Sequence, residues 1–455
     1  MQFDVDKTKI EESQMHILGH KIFVRMKDVP MYLSKKTKDS IRNRYSHSIE
    51  VGLSTKYILN SLNRELGNGV DLDFFGVANI VGMVHDIGHT AFSHDGEVIL
   101  DNMLKEASSN LPKEIRFNAN INNFRRIDKY GLFDLLPDNV KKYAMASLIK
   151  RKRELGQYPE YLYLKDYLRD SIALEQEYLL AKGVKIDNQT GKTILCQAMD
   201  MADENRYRVT DIIDAFNIYS KEKLSEILKR GINSSVRVKD IRKITTLPIP
   251  KRLINSNKHI DKIAIKDLLV MLLEQESSAK TEFQNSMNHI SMAFNRNFSL
   301  SDNGRLIPKN SDIEQLRDDF AKIAAKYIWG SKKVNNIKKP YRHYFATVAD
   351  YFINHHYNTS FVDSVTYKKA LDELRDSTLS YDKKRYKELI LMRNFLGGLT
   401  NPKIIELYKK IRIEEEEAKL SIEIAKKDKL IYKVSIGDFE KKLRKNIERL
   451  GIAKN

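Results

Sequence analysis

The sequence predicts an all-α protein, and three observations carry the prediction. Only nine prolines and nineteen glycines interrupt 455 residues. Apolar residues recur at helical spacing almost throughout. Strand signals are confined to two turn-bearing pieces, "GVKIDNQTGKTI" and "FSLSDNGRLIPKNSD", the second holding D-N-G-R, a hairpin-type turn signal. The expectation is a helical protein with minor β-hairpins. With 42% hydrophobic residues, the chain is long enough to bury a large core and to form more than one domain.

Composition narrows the class further. No run approaches the roughly 18 to 20 apolar residues of a membrane span, and the opening "MQFDVDKTKIEES" is acidic and polar, unlike a secretory leader. No membrane association and a cytoplasmic location are expected. The single cysteine, Cys196, forms no internal disulfide and no Cys-based zinc site, so a metal site here would depend on His and carboxylates. A formal charge of +18 attracts anions such as nucleotides or nucleic acid without choosing among them.

Taken in chain order, "RNRYSHSIEV" places His47 on a probable helix. The stretch "VHDIGHTAFSHDGE", 84 to 97, then gathers three of the eleven histidines. If "IVGMVHDIGH" continues one helix, His85 and His89 are four apart and share a face, with Asp86 rotated by about 100° from His85. Imidazole with carboxylate suits Mn, Fe, Co or Zn, and Mg with more oxygen ligands. Two protein ligands rarely hold such an ion, and His47 and Asp203, the latter in "QAMDMADENRYRVTDIIDAF", are candidates to complete the set. His94 and Glu97 lie one helical turn apart, so the carboxylate can orient the imidazole. "KYAMASLIKRKREL" reads as an amphipathic helix, its basic end either a reinforcement of Lys150 or a solvated terminus. Tyr207 and Asp211 follow Asp203 by four and eight residues, on one helix face with it. "IRIEEEEAKLSIEIAKKDK", 411 to 429, reads as a solvated helix face, and "IGDFEKKLRKNIERLGIA" as a further amphipathic helix.

The order lone His, His-Asp doublet, distant Asp, here His47, His85 with Asp86, and Asp203, resembles the HD-domain superfamily. Longer segments resemble its deoxynucleoside triphosphate triphosphohydrolases, the dGTPase family. "RNRYSHSIEV" is similar to R-T-R-x-T-H-S-x-E-V, and "HDIGHTAFSHDGE" to H-D-x-G-H-x-P-F-G-H-x-G-E, with Thr90, Ala91 and Ser93 as departures. "FNANINNFRRI" is similar to F-E-G-N-A-Q-x-x-R, keeping Asn120 and Arg125 with Asn122 for Gln. "YAMASLIKRKR" looks like T-x-A-T-L-x-x-x-x-K, with Lys150 at the lysine. "MADENRYRVTDIIDAF" is similar to A-D-D-I-x-Y-x-x-x-D-x-x-D, with Glu204 for the second Asp. "SDIEQLRDDFAKIAAKYIWGSKKV" looks like a later family helix, and "MRNFLGGLTNPKIIELY" resembles D-Y-I-A-G-M-T-D-x-Y-A-x-x-x-Y, with Asn401 for Asp. "HILGHKIFV" departs from R-R-L-x-x-K-T-Q-V, a segment that lies near the base and sugar in the family, losing the arginine pair and placing Phe23 at the glutamine, so the base preference stays open.

The resemblance implies an HD catalytic core over 1–216 and a helical C-terminal region over 217–455 that completes the pocket and the subunit contacts. It implies hydrolysis of dGTP, or of dNTPs more broadly, to the deoxynucleoside and inorganic triphosphate, with a divalent metal, Mn or Mg or one of Fe, Co and Zn, on His47, His85, Asp86 and Asp203. His94 would act as base or acid, oriented by Glu97. His89 would support this set, contact phosphate, or pack against its own turn. Arg44 and Lys150 would meet phosphates, and Asn120 would hydrogen-bond phosphate or orient a ligand. Tyr207 would pack on C2′ of the sugar and Asp211 accept its 3′-hydroxyl. Family members assemble as homo-oligomers, hexamers among them, and some respond to nucleotides or single-stranded DNA at other sites. Two competing expectations stand beside this one: another HD phosphohydrolase, either phosphodiesterase or nuclease, and a nucleic-acid-binding regulator with a vestigial site.

Overall fold

The computed structural model describes residues 6–31, 42–67, 69–216, 218–256, 259–274, 279–354, 361 and 365–427. Among them the fold is all-α, with one two-stranded antiparallel sheet. They fall into two compact units, one drawn from the described residues of 6–27, 42–87 and 123–336, the other from those of 28–31, 88–122 and 337–427. No helix among the described residues is long and apolar enough to cross a membrane.

The first unit is organised by the Ile194–Ala215 helix, whose residues are mostly buried, as expected of a helix enclosed by others. Its start is fixed twice. Thr193 accepts from the Cys196 N–H at 3.0 Å, and both carboxyl oxygens of Glu175 accept from the Ile194 N–H at 2.9 Å. The Arg44–Leu66 helix packs along it, opened by the Asn43 side chain accepting from the Ser46 N–H at 3.0 Å. Ala78–Val84 crosses that helix where glycine meets glycine. A Cβ built on Gly82 would lie 2.5 Å from the Gly52 Cα, and one on Gly52 would lie 2.7 Å from the Asn79 carbonyl oxygen. No side chain fits there, so the two backbones touch.

Three expectations are corrected in this unit. The helix through "IVGMVHDIGH" ends at Val84, with His85 as its C-cap, so His85 and His89 are not successive residues of one helical face. The helix expected over "KYAMASLIKRKREL" stops at Ala146, where the Ser147 hydroxyl bonds back to the Tyr143 carbonyl at 2.9 Å and the chain turns into short 3-10 segments. The strand signal in "GVKIDNQTGKTI" forms no strand. Its backbone bonds instead meet the hairpin tip, Asp187 N–H to Asp302 O at 2.9 Å and Gln189 N–H to Asn303 O at 3.2 Å. The hairpin itself forms as expected, Phe298–Leu300 against Leu306–Pro308, with Gly304 at φ 73° in its turn.

The second unit packs the Ser93–Ala107 helix with the helical chain beyond 337, around Leu100, Leu104, Phe117, Phe345, Phe352 and Leu396. The acidic run lies on the Asn401–Lys427 helix, and residues 412–419 are exposed or half-buried, with Glu414 accepting from the Tyr351 hydroxyl at 2.8 Å. Residues 428 and 429 of that run, and all of "IGDFEKKLRKNIERLGIA", lie outside the described residues.

Burial pushes the Glu175 carboxyl up to about 7, against the hydrogen bonds it accepts from the Ile194 N–H and the Tyr143 hydroxyl. The unfolded chain releases that proton near 4.5, so between about pH 4.5 and 7 the native state binds more protons than the unfolded state. Stability therefore falls as pH rises through this window, by about 3 kcal/mol in all. Glu175→Gln should flatten the slope and raise stability above pH 7. Urea-unfolding midpoints from pH 4.5 to 8 check it, and an unchanged slope would reject the assignment.

Candidate functional site

In the first unit three helix-borne groups converge. His47 stands on the first turn of its helix, His85 at the end of the crossing helix, and Asp203 midway along Ile194–Ala215. All three are buried, and their donor atoms lie within 4.8 Å of one another, so the group could hold a metal ion. His47 Nε2 is 3.0 Å from Asp203 Oδ1, and His85 Nε2 is 3.5 Å from the same oxygen. Asp86 joins at slightly longer range, 3.4 Å from His85 Nε2 and 3.8 Å from His47 Nε2. The four expected ligands thus meet in one place.

The donors suit a divalent ion. His85 Nδ1 lies 2.6 Å from the Gly82 carbonyl oxygen, an acceptor, which places the imidazole proton on Nδ1 and leaves Nε2 as the ligating nitrogen. That Nε2 is buried, faces two carboxylates and closes no aligned hydrogen bond. Its backbone is tied down as well, since the Asn123 side-chain amide donates to the His85 carbonyl. Two imidazoles with one or two carboxylates form a set that Mn, Fe, Co or Zn accepts, and Mg accepts with added oxygens.

Two cations balance the carboxylates. Arg44 donates to Asp86, and its Nη1 lies 3.5 Å from the Tyr207 hydroxyl. Lys150 places Nζ 2.9 Å from Asp203 Oδ2 and 3.6 Å from Asp200. The chain turn after Ala146 lets Lys150 reach this position, while Arg151, Lys152 and Arg153 are exposed, the solvated alternative of the two readings. Burial alone would raise the Asp203 carboxyl, but Lys150, His85 and His47 hold it well below the usual carboxylate range. Burial pushes the His47 imidazole down despite Asp203, which favours the neutral, ligating form.

Further along the same helix, the Tyr207 ring lies 4.8 Å from that of His47, and Asp211 follows one turn later, buried. Sequence reasoning missed the group that meets Asp211. Trp329 donates its indole N–H to Asp211 Oδ2 at 2.8 Å and sets its ring edge-on to Tyr207 at 6.3 Å. The one available signal was that this is the only tryptophan in the chain. Phe23, in place of the family's glutamine, is fully buried and packs on Tyr45 at 4.9 Å.

The second unit carries the remaining candidates. His94 Nδ1 is 3.4 Å from Glu97 Oε2, His89 Nδ1 is 4.0 Å from the same oxygen, and the two imidazoles meet edge to face at 4.9 Å. These three could also hold a cation among themselves. The Glu97 carboxyl is held down at about 2: burial opposes this, and it is outweighed by His94, His89 and the Ala119 N–H donating at 2.7 Å. His94 is largely exposed, with Asn120 half-buried on the first turn of the Ala119–Tyr130 helix.

The segment leading to His94 is bent by two consecutive left-handed residues, Phe92 at φ 58° and Ser93 at φ 56°. Ser93 stands where the similar motif has glycine, the residue that adopts this conformation without penalty. Bonds at both residues hold the bend, Phe92 N–H to Asn401 Oδ1 at 2.8 Å and Ser93 Oγ to Pro30 O at 2.9 Å. Gly96 permits the chain to pack on itself, since a Cβ there would lie 2.0 Å from the Ala91 carbonyl oxygen.

No protein-family model matches the chain. It is similar to curated proteins named deoxyguanosinetriphosphate triphosphohydrolase-like. One, from Mesorhizobium japonicum, is 26% identical over 43% of this chain and 43% of its own length. One from Vibrio cholerae is 24% identical over 47% and 48%, and one from an Azoarcus species 27% over 39% and 38%. The chain spans about half the length, or less, of these curated relatives.

The glycine crossing yields a direct test. Gly82→Ala forces a methyl group into 2.5 Å contact with Gly52, an overpacking worth about 1–3 kcal/mol or more. It should lower the thermal midpoint and weaken Mn binding together, as followed by thermal unfolding and metal titration. Wild-type metal affinity in a folded Gly82→Ala protein would separate the crossing from the cluster.

Proposed function

We propose that the protein is a metal-dependent deoxynucleoside triphosphate triphosphohydrolase, converting a dNTP and water into the deoxynucleoside and inorganic triphosphate. The observation that carries this reading is the continuity, on one buried helix, of Asp203 in the His47–His85 cluster with Tyr207 and Asp211 in successive turns. The similarity to proteins named dGTP triphosphohydrolase-like supports the same reading. Because Phe23 is an apolar, buried residue where the similar motif has a hydrogen-bonding one, the proposal extends to dNTPs in general.

His47, His85, Asp86 and Asp203 would hold the divalent ion, Mn, Mg or one of Fe, Co and Zn. When bound, it supplies Lewis-acid polarisation at the α-phosphorus. Arg44 and Lys150 bring two fixed positive charges for the phosphate chain, Arg44 as a fork suited to paired oxygens, and Asn120 adds a neutral donor. In the reaction a water oxygen bonds to the α-phosphorus, the bond from phosphorus to the 5′-oxygen breaks, and the leaving oxygen takes a proton. His94 is assigned that proton transfer, and Glu97, carrying its negative charge at neutral pH, orients and stabilises the imidazolium, with His89 beside them.

Tyr207 is assigned to the sugar face at C2′, where a 2′-hydroxyl would collide with its ring. Deoxyribose is then selected by exclusion of the competitor. Asp211 is the acceptor for the 3′-hydroxyl. Homo-oligomeric assembly, hexamers included, and a response to a further nucleotide or to single-stranded DNA belong to the same proposal, and the charge of +18 is compatible with both anions.

Incubation with each dNTP and Mn or Mg, with products resolved chromatographically, decides the reaction. Nucleoside with intact triphosphate is expected. Monophosphate with pyrophosphate, release of orthophosphate, or cleaved DNA beside untouched dNTPs would show a different phosphohydrolase. Asp203→Ala should abolish turnover, at least about 10³-fold, and activity retained in that variant removes Asp203 from the ligand set. Tyr207→Ala should admit ribonucleotides, raising their turnover relative to dNTPs by about tenfold or more. Unchanged discrimination would remove the steric role of the ring.

A further inference from the structure

We infer that Trp329 is a positioning residue for sugar recognition: its indole N–H fixes the Asp211 carboxylate that is to receive the 3′-hydroxyl. The inference rests on the triphosphohydrolase reading above for the identity of the ligand. Its geometry stands apart from that reading.

Trp329 ends a π-helical turn, Ala324–Trp329, that interrupts the helical run begun by Ser311–Ile323. A π turn widens the backbone and shifts every later side chain around the axis, and such turns are found frequently at functional sites. Here the last position of the turn is the one that meets Asp211. The turn is anchored on both sides. Gly330 N–H donates to the Ala325 carbonyl at 2.9 Å, the Tyr219 hydroxyl donates to the Tyr327 carbonyl, and Lys333 donates to the Ile218 carbonyl. Tyr219 and Ile218 directly follow the helix that carries Asp203, Tyr207 and Asp211, so the tryptophan is held in register with the three residues it would serve.

The indole offers what this position needs. It has one donor, no acceptor and no charge, so it orients a carboxylate without neutralising it. At 2.8 Å it engages Asp211 Oδ2, while its ring edge packs on Tyr207, the group assigned to exclude a 2′-hydroxyl. One residue thus ties the acceptor for the 3′-hydroxyl to the wall at C2′. Asp211 is buried, but Trp329 as a residue is 41% exposed, placing it at the solvent edge of this pair. A hydrogen bond to a charged group is worth about a tenfold or larger effect when a substrate depends on it.

Trp329→Phe keeps an aromatic ring at this position while removing the N–H together with the five-membered ring of the indole. With dNTP as substrate, KM should rise about tenfold with kcat nearly unchanged. The inhibition constant of the matching 2′,3′-dideoxynucleotide, which has no 3′-hydroxyl for Asp211, should stay at the wild-type value. The preference for dNTP over dideoxynucleotide therefore collapses. A purely structural role for the ring would move both constants together or neither, and either result overturns the inference. Because the chain holds one tryptophan, stopped-flow fluorescence of the wild-type protein reads this residue directly. A dNTP should change the emission more than the dideoxynucleotide does, and equal or absent changes overturn the inference. Should the wild-type protein bind dNTPs without hydrolysing them, the triphosphohydrolase reading fails while the fluorescence comparison still decides the role of Trp329.

Discussion

The contact between Gly52 and Gly82 is the constraint on which the first unit depends. Two helices can approach to backbone contact only where neither carries a Cβ, and here each glycine faces the other helix. His47 lies just upstream of Gly52 and His85 just downstream of Gly82, so the close crossing draws the two imidazoles to a ring separation of 5.6 Å. A wider crossing would leave each histidine to pack in its own surroundings. The carbonyl that fixes the His85 tautomer belongs to the same Gly82, so one residue controls both the distance and the protonation of that ligand.

The charge arrangement around this crossing follows from burial. Asp86 and Asp203 are carboxylates out of water, and each has a cation of its own, Arg44 and Lys150. Removing one partner would leave a buried charge uncompensated, which costs far more than a lost surface pair. The same pairs place positive charge where a polyphosphate would need it. In the proposed reaction the same two side chains would serve structural neutralisation and substrate attraction, and a substitution at either is expected to alter stability and binding together.

Much of this arrangement is legible in the amino-acid sequence, and the remainder is hidden for physical reasons. Helical periodicity and scarce Pro and Gly point to the fold class, and the D-N-G-R turn points to the hairpin, because both signals are local. His47, His85, Asp86 and Asp203 can be grouped from their order along the chain, which resembles a known pattern, though they span more than 150 positions. Local preference misleads where tertiary bonds outweigh it. Ser147 ends a helix by bonding back to the Tyr143 carbonyl, and Asp187 and Gln189 give their backbone N–H groups to the hairpin tip. Gly52 and Gly82 look like weak points of two helices, since a close approach is invisible until both partners are placed. Trp329 lies more than 110 positions from Asp211, and no periodicity links an indole in a π turn to a carboxylate on another helix.

Departures from the motif pattern that the sequence resembles bear on whether such a site is kept or is decaying. Ser93 replaces a glycine at φ 56°, a conformation costing a non-glycine residue about 1–2 kcal/mol. The serine hydroxyl bonds to the Pro30 carbonyl, and Asn401, itself a departure from Asp, accepts the neighbouring Phe92 N–H. The bend that leads to His94 is thus held by these two side chains. The buried cluster invites the same comparison. His47, His85, Asp203, Arg44, Lys150 and Tyr207 form a polar interior that well-packed apolar residues could replace at equal or better stability. Drift under selection for stability alone would proceed in that direction, one partner at a time, and would leave orphaned charges along the way. Here each carboxylate of the cluster still has its cation and each imidazole its carboxylate. That completeness is what a working site requires, although the cost of orphaning a buried charge also acts against losing any one partner.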